Sequence, residues 1–219
     1  MRIPLALAGL TLLAACGSGQ TDKDDADGTG NMTVELPAGP VPDATPTAAP
    51  ANDSAQNDAD GVANGRALLP TGWGPLRIGM SKAAVTDALG PDVNPGDANG
   101  PDPDQCEIYR PEGAPVGMMV MLIDGRLARI TLSRGSDVKT SAGIGVGATA
   151  AAVRAAYGAR VKSSPHAYLD SPGEYLTLWS TGGPQSPSGR GIRFEIDRDG
   201  RVQFIHAGGP AIEYVEGCA

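Results

Sequence analysis

Hydrophobic and polar positions divide the 219-residue chain into three stretches of different character. Residues 3–15 form an uncharged, mainly apolar run behind Arg2, which is the shape of a signal peptide. A transmembrane helix needs roughly 20 apolar residues, so this shorter run predicts a segment removed on export. Residues 17–65 show no apolar period and are dominated by Asp, Ala, Pro, Thr, Asn and Gly. Such a composition cannot bury enough apolar area to offset the entropy of ordering, and it predicts a disordered tether. From residue 66 the periods of strands and helices return over about 150 residues, enough for one domain or two very small ones.

Within residues 66–219 the pattern occurs twice. Residues 76–90 align without gaps on 144–158, an offset of 68. Each copy opens with an alternating apolar pair and a glycine, followed by Ser81 or Thr149 as helix N-cap. Val85 with Leu89, and Val153 with Tyr157, then lie four apart on one helical face, and Gly90 or Gly158 supplies the stop. Helices this short need a surface to dock on, and strands follow in both copies. In the first they are 106–110, 116–123 and 126–132, with Asp124-Gly125 as a hairpin turn; in the second, 175–180, 192–197 and 201–206, with a turn through Arg198-Asp199-Gly200. The expected fold is α+β: two tandem repeats, about 73–133 and 141–207, each a short strand, one short helix and about three antiparallel strands. The helices would pack on one face of a curved antiparallel sheet.

Two resemblances bear on this outline. Leu13-Ala14-Ala15-Cys16 resembles the lipobox of bacterial lipoproteins. That likeness implies removal of residues 1–15, acylation of Cys16 and anchoring through its acyl chains, which together exceed what one chain provides. Gly17 stands where the lipoprotein family uses aspartate for inner-membrane retention, so the likeness leans toward the outer membrane, with the domain facing the periplasm. Ile78-Gly79-Met80-Ser81 with Val85, Leu89, Gly90 and Pro91 resembles the helix-opening motif of the small lipoprotein in the β-barrel assembly machine. The tandem arrangement is similar to that of the β-lactamase inhibitor protein. It implies one curved sheet shared by both halves, and no partner-contacting residue carries over from either family.

Charge changes the picture in one respect. The stretch 17–65 holds nine acidic residues against Lys23, a net of −8, which is the formal charge of the entire chain; residues 66–219 come to about −1. The domain is nearly neutral without a basic stripe, which argues against nucleic acid as a partner. As a flexible coil the tether would reach about 40 Å. Once Cys16 is acylated, Cys106 and Cys218 remain in an oxidising compartment, and a disulfide between them is the expectation, the alternative being two buried thiols.

Candidate chemistry is sparse. His166 and His206 fall in a loop and at a strand end, outside any metal-ligand spacing, and no Gly-x-Ser-x-Gly elbow occurs. No catalytic residue, metal or cofactor is therefore expected. A hydrolase would need a Ser or Cys within about 3 Å of one of those imidazoles. The glycines at 143, 145 and 147 read as turn chemistry rather than a phosphate cradle. The acidic loop 92–105 reads as solvated, since its spacing matches no calcium loop. Strand alternation offers one contact surface: with Leu176, Leu178, Ile192, Phe194 and Ile196 facing the core, Tyr175, Thr177, Trp179, Arg193 and Glu195 share the opposite face. Aromatics beside arginine make good contacts, unless another part of the chain covers them. The expected function is a non-catalytic, membrane-anchored module binding a protein partner or assisting envelope assembly. An inhibitor or small-ligand binder is the alternative, and a hydrolase a third.

Overall fold

The computed structural model describes residues 65–96 and 100–219. The expectations for residues 1–15, Cys16 and the tether as far as residue 64 lie outside the described residues. The described part is β-rich. A two-stranded ribbon, β1 (Gly72–Trp73) and β2 (Leu76–Arg77), leads into helix α1 (Lys82–Leu89). Strands β3 (Cys106–Tyr109), β4 (Met118–Ile123) and β5 (Arg126–Leu132) follow, then helix α2 (Ala150–Tyr157). The last strands are β6 (Lys162–Pro165), β7 (Glu174–Thr181), β8 (Arg190–Ile196) and β9 (Val202–Gly208). β3 to β9 form one antiparallel sheet in the order β3-β4-β5-β9-β8-β7-β6. No helix among the described residues is long and apolar enough to cross a membrane.

Both helices start in the same way. Ser81 Oγ accepts from the Ala84 N–H at 3.2 Å and Thr149 Oγ1 from the Ala152 N–H at 3.1 Å, as N-caps do. Gly79 N–H donates to Leu127 O and Leu127 N–H returns to Met80 O; Gly147 N–H donates to Val202 O and Val202 N–H returns to Ala148 O. Lys82 N–H reaches Gly125 O at one hairpin tip, and Ala150 N–H reaches Gly200 O at the other. Arg126 Nη1 donates to Gly79 O at 3.1 Å, and Arg201 Nη1 to Gly147 O at 2.9 Å. In the glycine-rich stretch 143–147, the N–H groups of Gly143, Ile144 and Gly147 are used inside the fold. At the first tip Asp124 (φ 49°) and Gly125 (φ 67°) are both left-handed, as a tight hairpin turn requires.

The core lies between the helices and one sheet face. Val85, Val153 and Tyr157 pack there with Val120, Leu122, Leu127, Ile130, Leu176, Phe194 and Ile205. Phe194 is fully buried, and burying a side chain of that size stabilises by about 1.5–3 kcal/mol. Trp73 packs against the same cluster and donates from Nε1 to Arg66 O at 2.7 Å.

Two sequence expectations need correction. Residues 144–146 do not make a strand like β2: Gly145 has only an isolated bridge to Lys139. The second half also carries a fourth strand, β6, which pairs with β7. Its Lys-Ser-Ser-Pro sequence is exposed at every position and has no apolar alternation to announce it.

Candidate functional site

Tyr175, Thr177 and Trp179 do share a face opposite Leu176 and Leu178, and strand register extends each into a row across the sheet. One row runs Thr131, His206, Arg193, Thr177, Lys162. A second runs Phe204, Glu195, Tyr175, Ser164, and a third Arg129, Gly208, Gly191, Trp179. Sequence alternation therefore grouped the right side chains. What covers them was not visible in it.

Residues 210–219 lie over the middle of this face. Cys218 is disulfide-bonded to Cys106, with Cα atoms 5.4 Å apart, and packs with Ile108, Met121 and Ala211. A 3-10 turn, Pro210–Glu213, sits above β8. Gly191 makes room for it, because a Cβ there would stand 2.9 Å from Trp179 Cε3 and 3.0 Å from Ile212 Cδ1. Arg129 Nη1 donates to the carbonyls of Ala211 at 3.1 Å and Tyr214 at 2.9 Å. Arg193 Nη1 donates to the Glu213 carboxylate at 3.1 Å, and its guanidinium lies over the Tyr175 ring at 3.6 Å. Both arginines are only 5% exposed, and the Nε of each is buried with no partner among the described residues. Burial brings the Arg129 pKa down to about 10; Glu195 opposes this shift and Arg193 adds to it.

Glu195 joins the two histidines. His166 Nε2 lies 3.0 Å from one carboxylate oxygen and His206 Nε2 3.7 Å from the other. His166 Nδ1 accepts the backbone N–H groups of Tyr168 and Leu169, which leaves its proton on Nε2, facing Glu195. A carboxylate only accepts, so His206 also presents Nε2–H to it, and His206 Nδ1 takes the Thr131 hydroxyl at 3.0 Å. Burial pushes the His206 pKa down to about 4; the Glu195 carboxylate 3.7 Å away resists, and Arg129 and Arg193 deepen the shift. Burial opposes ionisation of Glu195, but the nearby His206 N–H and the hydrogen bond from His166 outweigh that and hold the carboxyl below its ordinary value. The order Thr131, His206, Glu195 has the parts of a hydrolytic relay, yet Thr131 is 4% exposed and His206 8%, which leaves no space for a substrate at that hydroxyl.

At its β6 end the face is open. There a groove of about 420 Å³ runs beside the covering segment. Thr177 and Trp179 form its floor, with Arg160, Lys162 and Ser164 along one side and Glu213 on the other. Ser163 also borders it, but its hydroxyl is given to Glu174 at 2.6 Å. Of the five surface residues expected from sequence, Tyr175, Arg193 and Thr177 are buried, Glu195 is tied to the histidines, and Trp179 is half-buried at the groove. Lys162 and Ser164 went unrecognised, because they sit on the strand that lacks an alternating pattern.

No protein-family profile matches the chain, and no curated protein matches it. Among solved structures it is similar to a DUF4309 family protein (YjgB) from Bacillus subtilis. That crystal structure aligns with a TM-score of 0.42 at 15% identity, over 72% of this chain and 99% of that one. A likeness this loose carries nothing about function from one protein to the other.

Proposed function

We propose that this chain is a lipoprotein acylated at Cys16 and facing the periplasm, with Gly17 pointing to the outer membrane. Its folded part is a non-catalytic binding module of the cell envelope. The observation that carries the binding role is the groove at the β6 end, the part of the polar face that the covering segment leaves open. Concave sites with a few convergent polar groups beside an aromatic are where ligands are held. The edge strand favours an occupant of the groove over a protein strand paired to the sheet, since Lys162 and Pro165 are residues that discourage strand addition.

The domain is read as one α+β design used twice, over about 73–133 and 141–207. The matched caps, glycine bonds and arginine bonds at the two helix starts support this.

The anchor is tested by mass spectrometry of the mature protein: an N-terminus at acylated Cys16 is expected, and an unmodified start or a different cut refutes it. The binding role is tested by hydrogen exchange of the full-length chain in detergent, with and without a soluble envelope fraction. Protection at 160–164, 177–179 and 213 is expected. Unchanged exchange there would end the binding-module reading.

A further inference from the structure

The groove's chemistry is lopsided, and that asymmetry identifies what it takes. Its side chains are rich in donors that the protein leaves unused. The Lys162 ammonium, the Ser164 and Thr177 hydroxyls and the Trp179 indole N–H have no partner among the described residues. Arg160 adds a second cation; its Nε reaches Tyr157 O only at 3.4 Å and its guanidinium lies over the Tyr157 ring at 5.7 Å. The acceptor in the lining, Glu213, is already bonded to Arg193 at 3.1 Å, so its charge is largely answered from beneath. The groove lining is net cationic, with Lys162 and Arg160 against a single carboxylate that is already paired.

The floor adds a shape requirement. Trp179 lays its ring beside Gly191, which has no side chain to displace it, and remains partly open to the groove. A flat aromatic surface bordered by hydroxyl and N–H donors suits a ring with one apolar face and a rim of oxygens. A sugar has both, and a carboxylate on that sugar supplies the charge that Lys162 and Arg160 call for. The volume lies within the range of about 300–1,000 Å³ usual for small-molecule sites.

We infer that the Lys162–Trp179 groove binds an acidic saccharide, stacking a sugar ring on Trp179 while Lys162 and Arg160 hold its carboxylate. This rests on the binding-module reading and names the ligand class for the same site.

The test uses the two tryptophans, whose indole N–H signals are resolved in a ¹H–¹⁵N spectrum of the full-length chain and assigned with Trp179→Phe. Digalacturonic acid is titrated in, with maltose as an uncharged α-1,4-disaccharide control. The expected result is a saturable shift of the Trp179 signal with Trp73 unmoved, at least tenfold weaker affinity for maltose, and at least tenfold weaker digalacturonate binding in Lys162→Met. Lys162 is exposed on an edge strand, so that variant keeps the fold, and Lys162→Arg should restore binding. Absence of a Trp179 shift, equal affinity for maltose, or unchanged affinity in Lys162→Met overturns the acidic-saccharide assignment. If the envelope fraction still protects 160–164 and 177–179 while digalacturonate fails, the ligand class falls and the binding module stands.

Discussion

Both faces of the seven-stranded sheet are covered over much of their area, but by different physics. Toward the helices the closure is dry: Val85, Val153 and Tyr157 meet a layer of aliphatic side chains and Phe194, with local backbone bonds holding each helix start. On the other face the sheet presents Arg129, Arg193, Glu195, His206 and Thr131, and residues 210–219 cover them with main-chain carbonyls, Glu213 and a disulfide. The dry face gains stability from the area it removes from water. The polar face needs each charge met by a partner, and two guanidinium Nε atoms are not met. Burying charges rarely adds net stability, so the polar face is held closed by covalent and main-chain ties rather than by its own attraction.

The largest effect should come from cutting the covalent tie. Cys106→Ser with Cys218→Ser opens a loop of 112 residues, and the chain-entropy relation gives a loss of about 4–5 kcal/mol in urea unfolding. A loss below about 1 kcal/mol would mean that the other bonds hold the covering segment unaided. Next, adjacent residues of β8 set the faces directly against each other. Phe194→Ala should cost about 3–5 kcal/mol through its cavity, whereas Arg193→Met combined with Glu213→Gln, which keeps the bulk and removes both charges of the ion pair, should cost less than about 1.5 kcal/mol. Equal losses would erase the distinction.

Acid should act on the polar face through His206 and Glu195, and on the helix side through Glu174, where burial opposes ionisation but the bonds from Arg154 and Ser163 hold the carboxyl below its ordinary value. His206 has its folded pKa near 4, below the ordinary 6.5. As pH falls below 6.5 the unfolded chain gains a proton that the folded chain refuses, so stability drops between pH 6.5 and 4, by about 3 kcal/mol at most. Glu195, lowered from 4.5, adds a loss in the same direction below pH 4.5. Urea midpoints should follow this slope in the wild type, and His206→Gln should flatten its upper part; an unchanged slope in that variant would place the titrating group elsewhere. The smallest effect is local to the dry face: Ser81→Ala and Thr149→Ala should each cost about 1 kcal/mol, to the same extent, because each removes one N-cap bond.

Much of the dry face was legible in the sequence because it is built from local signals. Ser81 and Thr149 announce caps, Val85 and Val153 the buried helix stripe, and Asp124-Gly125 the turn. The grouping of Tyr175, Thr177, Trp179, Arg193 and Glu195 was legible too, since alternation alone sorts a strand. The cover was not. Arg129 is tied to Ala211 and Tyr214 across more than eighty positions, and main-chain carbonyls leave no mark in side-chain patterns. His166 and His206 are 40 positions apart in different elements, and only the fold puts Glu195 between them. Strand β6 escaped for a third reason: a four-residue edge strand with every position wet needs no apolar period, so the wall of the groove was written in residues that usually mark a loop.

The shield over Arg129 and Arg193 comes from residues downstream of every strand in the sheet. A growing polypeptide therefore exposes its guanidinium pair until residues 210–219 are synthesised. A chain that stops before residue 210, or a bulky insertion near it, would lack or displace a lid that the polar face needs. An affinity handle for this protein is best kept away from residues 210–219.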